Sequence, residues 1–190
     1  NNADNNTAIG HNALVANTTG ANNVALGQNA LVANTTGQRN VALGVIALDA
    51  NTTGAYNVAL GYGAGGANTT ASHNIAVGYK AMETNSTGTR IIAIGASAYS
   101  SSDTENDNLA IGVDAMTADT AGGQYNVAIG NYSLDALTSG DNNTAVGYGA
   151  LSDNTTAGKN SAFGTSALGN TTTGENNTAV DALSLFDNTT

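Results

Sequence analysis

The chain has 190 residues with no Cys, Pro or Trp, and only 9% are charged, fewer than a globular enzyme of this length normally carries. Its formal charge of −10 sets 14 acidic side chains against four basic ones, Arg39, Lys80, Arg90 and Lys159; this argues against a nucleic-acid partner, which needs clustered Lys and Arg, and against an anionic membrane surface. No apolar run approaches the roughly 18 residues of a membrane span, and without Cys there is no disulfide scaffold.

The chain opens in mid-phrase, with no initiator Met and no signal peptide. We read 1–190 as a single repeat array, a segment of a longer fibre. The phrase x-Ala-x-Gly places an anchor at Gly10, Gly27, Gly44, Gly61, Gly78, Gly95, Gly112, Gly130, Gly147 and Gly164, with Asp181 in the eleventh slot. The spacing is 17 residues except for one 18-residue step between Gly112 and Gly130. The extra residue is assigned to one glycine of the pair Gly122–Gly123, in a turn that tolerates insertion. Self-similarity at a fixed period marks a repeat architecture.

Within a unit the elements follow in a constant order. Four residues before the anchor stands Asn in ten of eleven units, from Asn6 to Asn177, with Ile91 the exception. A stacked column of amides predicts side chains that donate to one another along the array. Three and one residues before the anchor stand β-branched and apolar residues such as Val24 and Leu26, or Ile75 and Val77. They share one face of a strand, which predicts that they point into the core. Four residues after the anchor comes a second apolar column that includes Leu14, Leu31, Leu48, Met82, Tyr99 and Leu134. Asn-Thr-Thr-Gly then turns the chain. Each unit is thus expected to hold two short strands and two turns. A unit this small cannot bury its apolar face alone, so units must stack. At about 4.8 Å per ladder step, eleven coils make an all-β parallel solenoid roughly 50 Å long.

Between the two strand positions lies a column that is Ala in every unit: Ala8, Ala25, Ala42, Ala59, Ala76, Ala93, Ala110, Ala128, Ala145, Ala162 and Ala179. Alternation then points it away from the core. A free outward position would drift among polar residues, so this column predicts a crowded surface, an oligomer interface with another copy of the chain.

The phrase Asn-x-Ala-x-Gly-x-x-Ala, as in NVALGQNAL, NIAVGYKAM and NTAVGYGAL, resembles the head repeats of trimeric autotransporter adhesins, the YadA-like heads. Related repeats occur in phage tail fibres and other surface proteins. The resemblance covers essentially all 190 residues. It implies a left-handed parallel β-roll, a homotrimer around a common axis, and an extracellular structural or adhesive role at a cell or virion surface. The partners it implies are the chain itself and a glycan or matrix protein.

Few residues suggest chemistry. GYGAGG matches a dinucleotide-binding pattern at Gly61, Gly63 and Gly66, but it lies in phase with the repeat and precedes no crossover helix. In SSSDTENDN the carboxylates Asp103, Glu105 and Asp107 alternate, a weak Ca²⁺ candidate; the other reading is a solvated acidic turn with Asp107 beside Arg90 of the preceding unit. His11 and His73 fall in different columns, and no Ser/His/Asp set is supported, so we expect no enzyme and no cofactor beyond that Ca²⁺ candidate. Tyr62, Tyr79 and Tyr148 share the column after the anchor and suit contact with a sugar or protein, or packing across coils. The Thr pairs, among them Thr18–Thr19, Thr35–Thr36, Thr52–Thr53 and Thr69–Thr70, raise an alternative, an ice- or glycan-binding face with one outward hydroxyl per coil. The Asn-x-Thr sequons are read as turn chemistry.

Overall fold

The computed structural model describes residues 3–101, 103–118 and 122–189. Every unit places one β-preferring triplet in a three-residue strand. In chain order these are β1 (Thr7–Ile9), β2 (Val24–Leu26), β3 (Val41–Leu43), β4 (Val58–Leu60), β5 (Ile75–Val77), β6 (Ile92–Ile94), β7 (Leu109–Ile111), β8 (Val127–Ile129), β9 (Thr144–Val146), β10 (Ser161–Phe163) and β11 (Thr178–Val180). They form one sheet, each strand beside its neighbours in sequence. All pairs are parallel, with Val24 opposite Val41, Ala25 opposite Ala42 and Leu26 opposite Leu43. Across the longer step Leu109 still meets Val127, so the ladder keeps its register. The chain is a parallel β-solenoid, and no helix occurs among the described residues.

The longer step is absorbed in the turn. Asn108 Nδ2 donates to the Gly123 carbonyl at 2.7 Å, the bond that Asn23 makes to Gly37 and Asn40 to Gly54. Gly123 therefore holds the ordinary turn position. The extra residue lies before it, where Gly122 has φ +111 and open space around it.

The expected second strand is absent, and this corrects the two-strand unit. After the anchor, Asn29 and Leu31 take φ of 57° and 51°, and Ile46 and Leu48 take 52° and 50°. Left-handed residues at alternate positions break extended geometry. The coils still bond to one another there, Leu31 N to Ala47 O at 3.0 Å and Leu48 N to Ala64 O at 3.0 Å.

The facing of the strand also differs from expectation. The Ala column lies inside: Ala25, Ala42, Ala93, Ala110, Ala128, Ala145 and Ala162 are fully buried within the single chain, Ala59, Ala76 and Ala179 nearly so. Only Ala8, in β1, is exposed. The Ala interface read from the sequence is therefore corrected, because the coil's own interior already covers those methyl groups. The reason is width. A Cβ placed on Gly65, across the coil, would sit 3.9 Å from Ala59 Cβ, so strand and facing turn leave room for one methyl between them. Val24, Leu26 and their equivalents, expected inside, point outward.

Two columns of buried Asn complete the core. In the column before the strand, Asn23 Oδ1 accepts the Asn40 backbone N–H at 2.9 Å while its Nδ2 donates to Gly37 O at 2.9 Å. These amides mainly clamp backbone groups; the expected donation from one to the next occurs at Asn143, whose Nδ2 lies 3.2 Å from Asn126 Oδ1. Ile91 loses its own amide but still donates its N–H to Asn74 Oδ1. The amide-to-amide ladder belongs to the Asn of Asn-Thr-Thr-Gly: Asn34 Nδ2 donates to Asn17 Oδ1 at 3.0 Å and Asn51 Nδ2 to Asn34 Oδ1 at 2.8 Å. Burial of both Asn sets satisfies backbone groups that a core this polar would otherwise strand.

Candidate interaction surface

With Ala inward, the alternation of the strand puts its first and third residues outward, and from β2 to β8 both are large and apolar, while β1, β9, β10 and β11 carry Thr or Ser at the first. Val24, Leu26, Val41, Val58, Leu60, Ile75, Ile94 and Phe163 each expose between 36% and 43% of their surface. That is unusual for a sheet face bathed in water, which normally carries polar residues at alternate positions. The stacked triplets make a flat apolar stripe about 50 Å long and about 10 Å wide, on the order of 500 Å², within the range that marks interaction sites. The sequence pattern located this column pair but assigned it to the core.

Rows of longer side chains run along both margins of the stripe. On the margin after the strand, Tyr62 and Tyr79 stack with ring centroids 5.6 Å apart and planes 15° from parallel. Both remain about half exposed, as does Tyr148. Lys80 Nζ lies 5.8 Å from the Tyr79 ring centre and 2.8 Å from Glu83. Tyr148 meets Tyr132 edge to face at 5.6 Å. The three predicted Tyr residues are thus on one margin, but Tyr148 belongs to a separate pair.

The opposite margin holds a ladder, of which the sequence showed only the pairing of Asp107 with Arg90 and not the Arg39, Tyr56 and His73 part. Arg39 lies 5.1 Å over the Tyr56 ring and bonds its hydroxyl. Tyr56 stacks on His73 at 4.9 Å and 9°. In the next coils Arg90 grips Asp107 through two bonds, Nε to Oδ1 at 2.5 Å and Nη2 to Oδ2 at 2.8 Å. The hydrogen bonds from Arg90 hold the Asp107 carboxyl below its ordinary value, and the same pairing raises Arg90. The signal was present: these residues all stand five before the anchor, one coil apart, and all adopt positive φ.

The weak Ca²⁺ candidate does not assemble. Asp103 Oδ1 accepts from Ser86 Oγ, Glu105 turns inward so that Oε2 accepts the Asp103 and Thr104 N–H groups at 3.1 and 3.0 Å, and Asp107 belongs to Arg90. Each carboxylate has its own protein partner, and no cluster of three ligating side chains occurs among the described residues. Ser102 of this loop lies outside them.

The threonine pairs divide their hydroxyls. Thr18, Thr35 and Thr52 donate to the carbonyl of the equivalent Thr one coil on, at 2.9, 3.0 and 3.0 Å. Thr19, Thr36, Thr53 and Thr70 are exposed. Sequon residues such as Asn34 and Asn51 are fully buried with bonded amides, in keeping with a turn role. No pocket opens among the described residues, and none of their helices could cross a membrane, since they form none. Comparison with known protein families, with curated proteins and with solved structures finds no match to this chain.

Proposed function

We propose that the chain is a non-enzymatic segment of an extracellular surface fibre, a stiff spacer with adhesive capacity, assembled from parallel copies of itself. One observation carries the reading: the outward rows of Val, Leu and Ile on the strand face, both unbroken from Val24 to Ile129, with the column of Leu26 continued through Val146 to Phe163 while Thr144 and Ser161 interrupt the other. Leaving that row in water forfeits about 25 cal/mol for each Å² of apolar area that association would bury. A second copy is the partner with the matching pitch, since its own stripe repeats at the same ladder step and meets this one column for column. The likeness of the repeat phrase to trimeric adhesin heads supports three copies and a left-handed winding. Tyr62, Tyr79 and Tyr148, exposed on one margin, supply the contact surface for a glycan or matrix protein.

Mass in solution tests the assembly. The wild-type chain is expected at three times its 18.7 kDa. The double variant Leu60→Lys, Ile75→Lys is expected as a monomer with an unchanged β spectrum, because both side chains point away from the coil interior. A wild-type monomer in dilute solution would sink the self-association. A glycan array, with Tyr62→Ala and Tyr79→Ala as controls, tests adhesion. The exposed column Thr36, Thr53 and Thr70 favours one alternative, ordering of water along that edge as in ice binding. Thermal hysteresis in the folded chain would establish it in place of the fibre reading.

A further inference from the structure

Ten anchors are Gly, with φ between +135° and +144°, and the eleventh is Asp181 with φ +102°. A Cβ added to any of the ten would lie 2.2–2.6 Å from the carbonyl oxygen of the anchor in the following coil, and for Gly27 and Gly44 that distance is 2.3 Å. Real Cβ atoms do not approach backbone within 3.0 Å, and the obstacle here is backbone that cannot swing aside. Each glycine therefore leaves open the space that the next coil's backbone fills. Asp181 carries a Cβ at this position, at φ +102° against the +135° or more of the glycines.

Around Asp181 the eleventh coil is otherwise regular. β11 pairs with β10 in register, and Ala179 is buried in its column. Asp181 N donates to Phe163 O at 2.8 Å, as Gly164 N does to Val146 O, and Leu183 N donates to Thr165 O at 2.9 Å. The carboxylate is folded over its own turn, Oδ1 accepting the Ala182 N–H at 2.7 Å. Further along the coil Phe186 stands over Gly169, but at the anchor it is the Asp181 side chain that separates this coil from those before it. We infer that Asp181 is a stop: no further coil of this repeat, whether a continuation of the chain or the first coil of a second copy, can seat in register on β11. The second copy is the informative case. Its first coil is built to the same pattern, and its Gly10 carbonyl would meet the Asp181 Cβ as the Gly27 carbonyl would meet a Cβ on Gly10. The Gly10 coil of one 190-residue chain is thereby kept from seating on β11 of another.

Rod length in electron micrographs, with sedimentation, tests this on the 190-residue chain and two variants. Wild type and Asp181→Asn, which removes the charge but keeps the Cβ, are expected as rods of one unit, roughly 50 Å long. Asp181→Gly is expected to form concentration-dependent rods of two or more units. Wild-type strings, strings of Asp181→Asn equal to those of Asp181→Gly, or single units only for Asp181→Gly would each overturn the stop. The converse variant, Gly164→Asp, places the same side chain under the last coil. The Asp181 and Leu183 amides, which bond back to β10 and the residues after it, should then exchange at least ten-fold faster, and unchanged protection would equally overturn the inference. Lateral association alters the width of the rods and the stop alters their length, so the two readings fail separately.

Discussion

On the strand side of one coil Ala42 is buried while Val41 and Leu43 face outward; on the turn side of that coil Leu48 is buried and Asp49 lies at the surface. Small opposes large across the interior, and the exteriors are opposite in character. The strand exterior is flat and apolar. The turn exterior is mixed, with Val15 exposed near one end and the carboxylates of Asp49, Glu83 (paired with Lys80), Asp135 and Asp153 spread along the rest. Burial pushes the carboxyls of Asp49 and Asp135 up, so this side already bears some desolvated charge. The difference teaches that the rod has one face whose apolar residues favour the proposed association and another that disfavours it, because bringing acidic edges together would add repulsion to desolvation.

The strongest way to break that complementarity is to remove the large partner. Leu31 is fully buried between Leu14 and Leu48 of the adjoining coils. Leu31→Ala is expected to cost about 2–5 kcal/mol in chemical denaturation, the transfer loss plus the cavity. Leu31→Gly sharpens the test. In an ordinary strand or helix Gly is the worse choice, but here φ is +51°, and relief of the left-handed conformation is worth roughly 1–2 kcal/mol. Gly is therefore expected to be no more damaging than Ala. Gly65 already occupies this column, with Leu48 Cδ2 2.9 Å from where its Cβ would stand.

Next in size is enlargement of the small partner. Ala76→Leu puts three extra carbons into a space that admits a methyl, and overpacking of this kind costs about 1–3 kcal/mol. The same enlargement on the outer side, Val58→Leu, is expected to change monomer stability by no more than about 0.5 kcal/mol. Equal effects of the two changes would place the interior on the wrong side of the strand.

That contrast also marks how far the sequence could be read. The period, the stacking, the register and the displaced coil were all legible, because a 17-residue recurrence of Gly44, Gly61 and Gly78 leaves no other alignment. The direction of the strand was not. Alternation separates Ala42 from Val41 and Leu43 but does not say which set is inside; that depends on the width of the closed coil, a tertiary quantity. The constancy of Ala was a true sign of crowding, and the crowding came from the chain's own opposite wall. The second strand failed for a local reason, since Leu31 and Leu48 carry no mark of positive φ. On the surface, column arithmetic was enough to pair Arg90 with Asp107. Applied to the three coils before Arg90, it would have joined Arg39, Tyr56 and His73.

A smaller effect should separate the acidic side from the rest. Asp135 has its pKa raised first by burial and then by the charges of Asp153 and Asp114, and its Oδ1 is buried without a hydrogen-bond donor. A carboxyl whose folded-state value exceeds its ordinary 3.8 destabilises the fold when ionised. That penalty is complete above the raised value and is lost as pH falls through it. Asp135→Asn is expected to raise the melting temperature at pH 7, with a gain that shrinks on acidification. A gain that grows toward low pH would contradict the burial account.

The least effect is expected where the geometry looks strongest. Arg90 and Asp107 share two hydrogen bonds, yet both lie in solvent, where an ion pair contributes little and is screened by salt. Asp107 has its folded-state value lowered, so its contribution is present above the ordinary 3.8 and is lost as pH falls through the lowered value, opposite in sign to Asp135. Asp107→Asn should therefore lower the denaturation midpoint slightly at neutral pH and low salt, and the deficit should vanish near 1 M salt, where the Debye length is about 3 Å. A large, salt-insensitive loss would instead mean that this margin is covered by a partner, and the interface proposed for the strand face would then extend beyond Ile92 and Ile94 to include the pair.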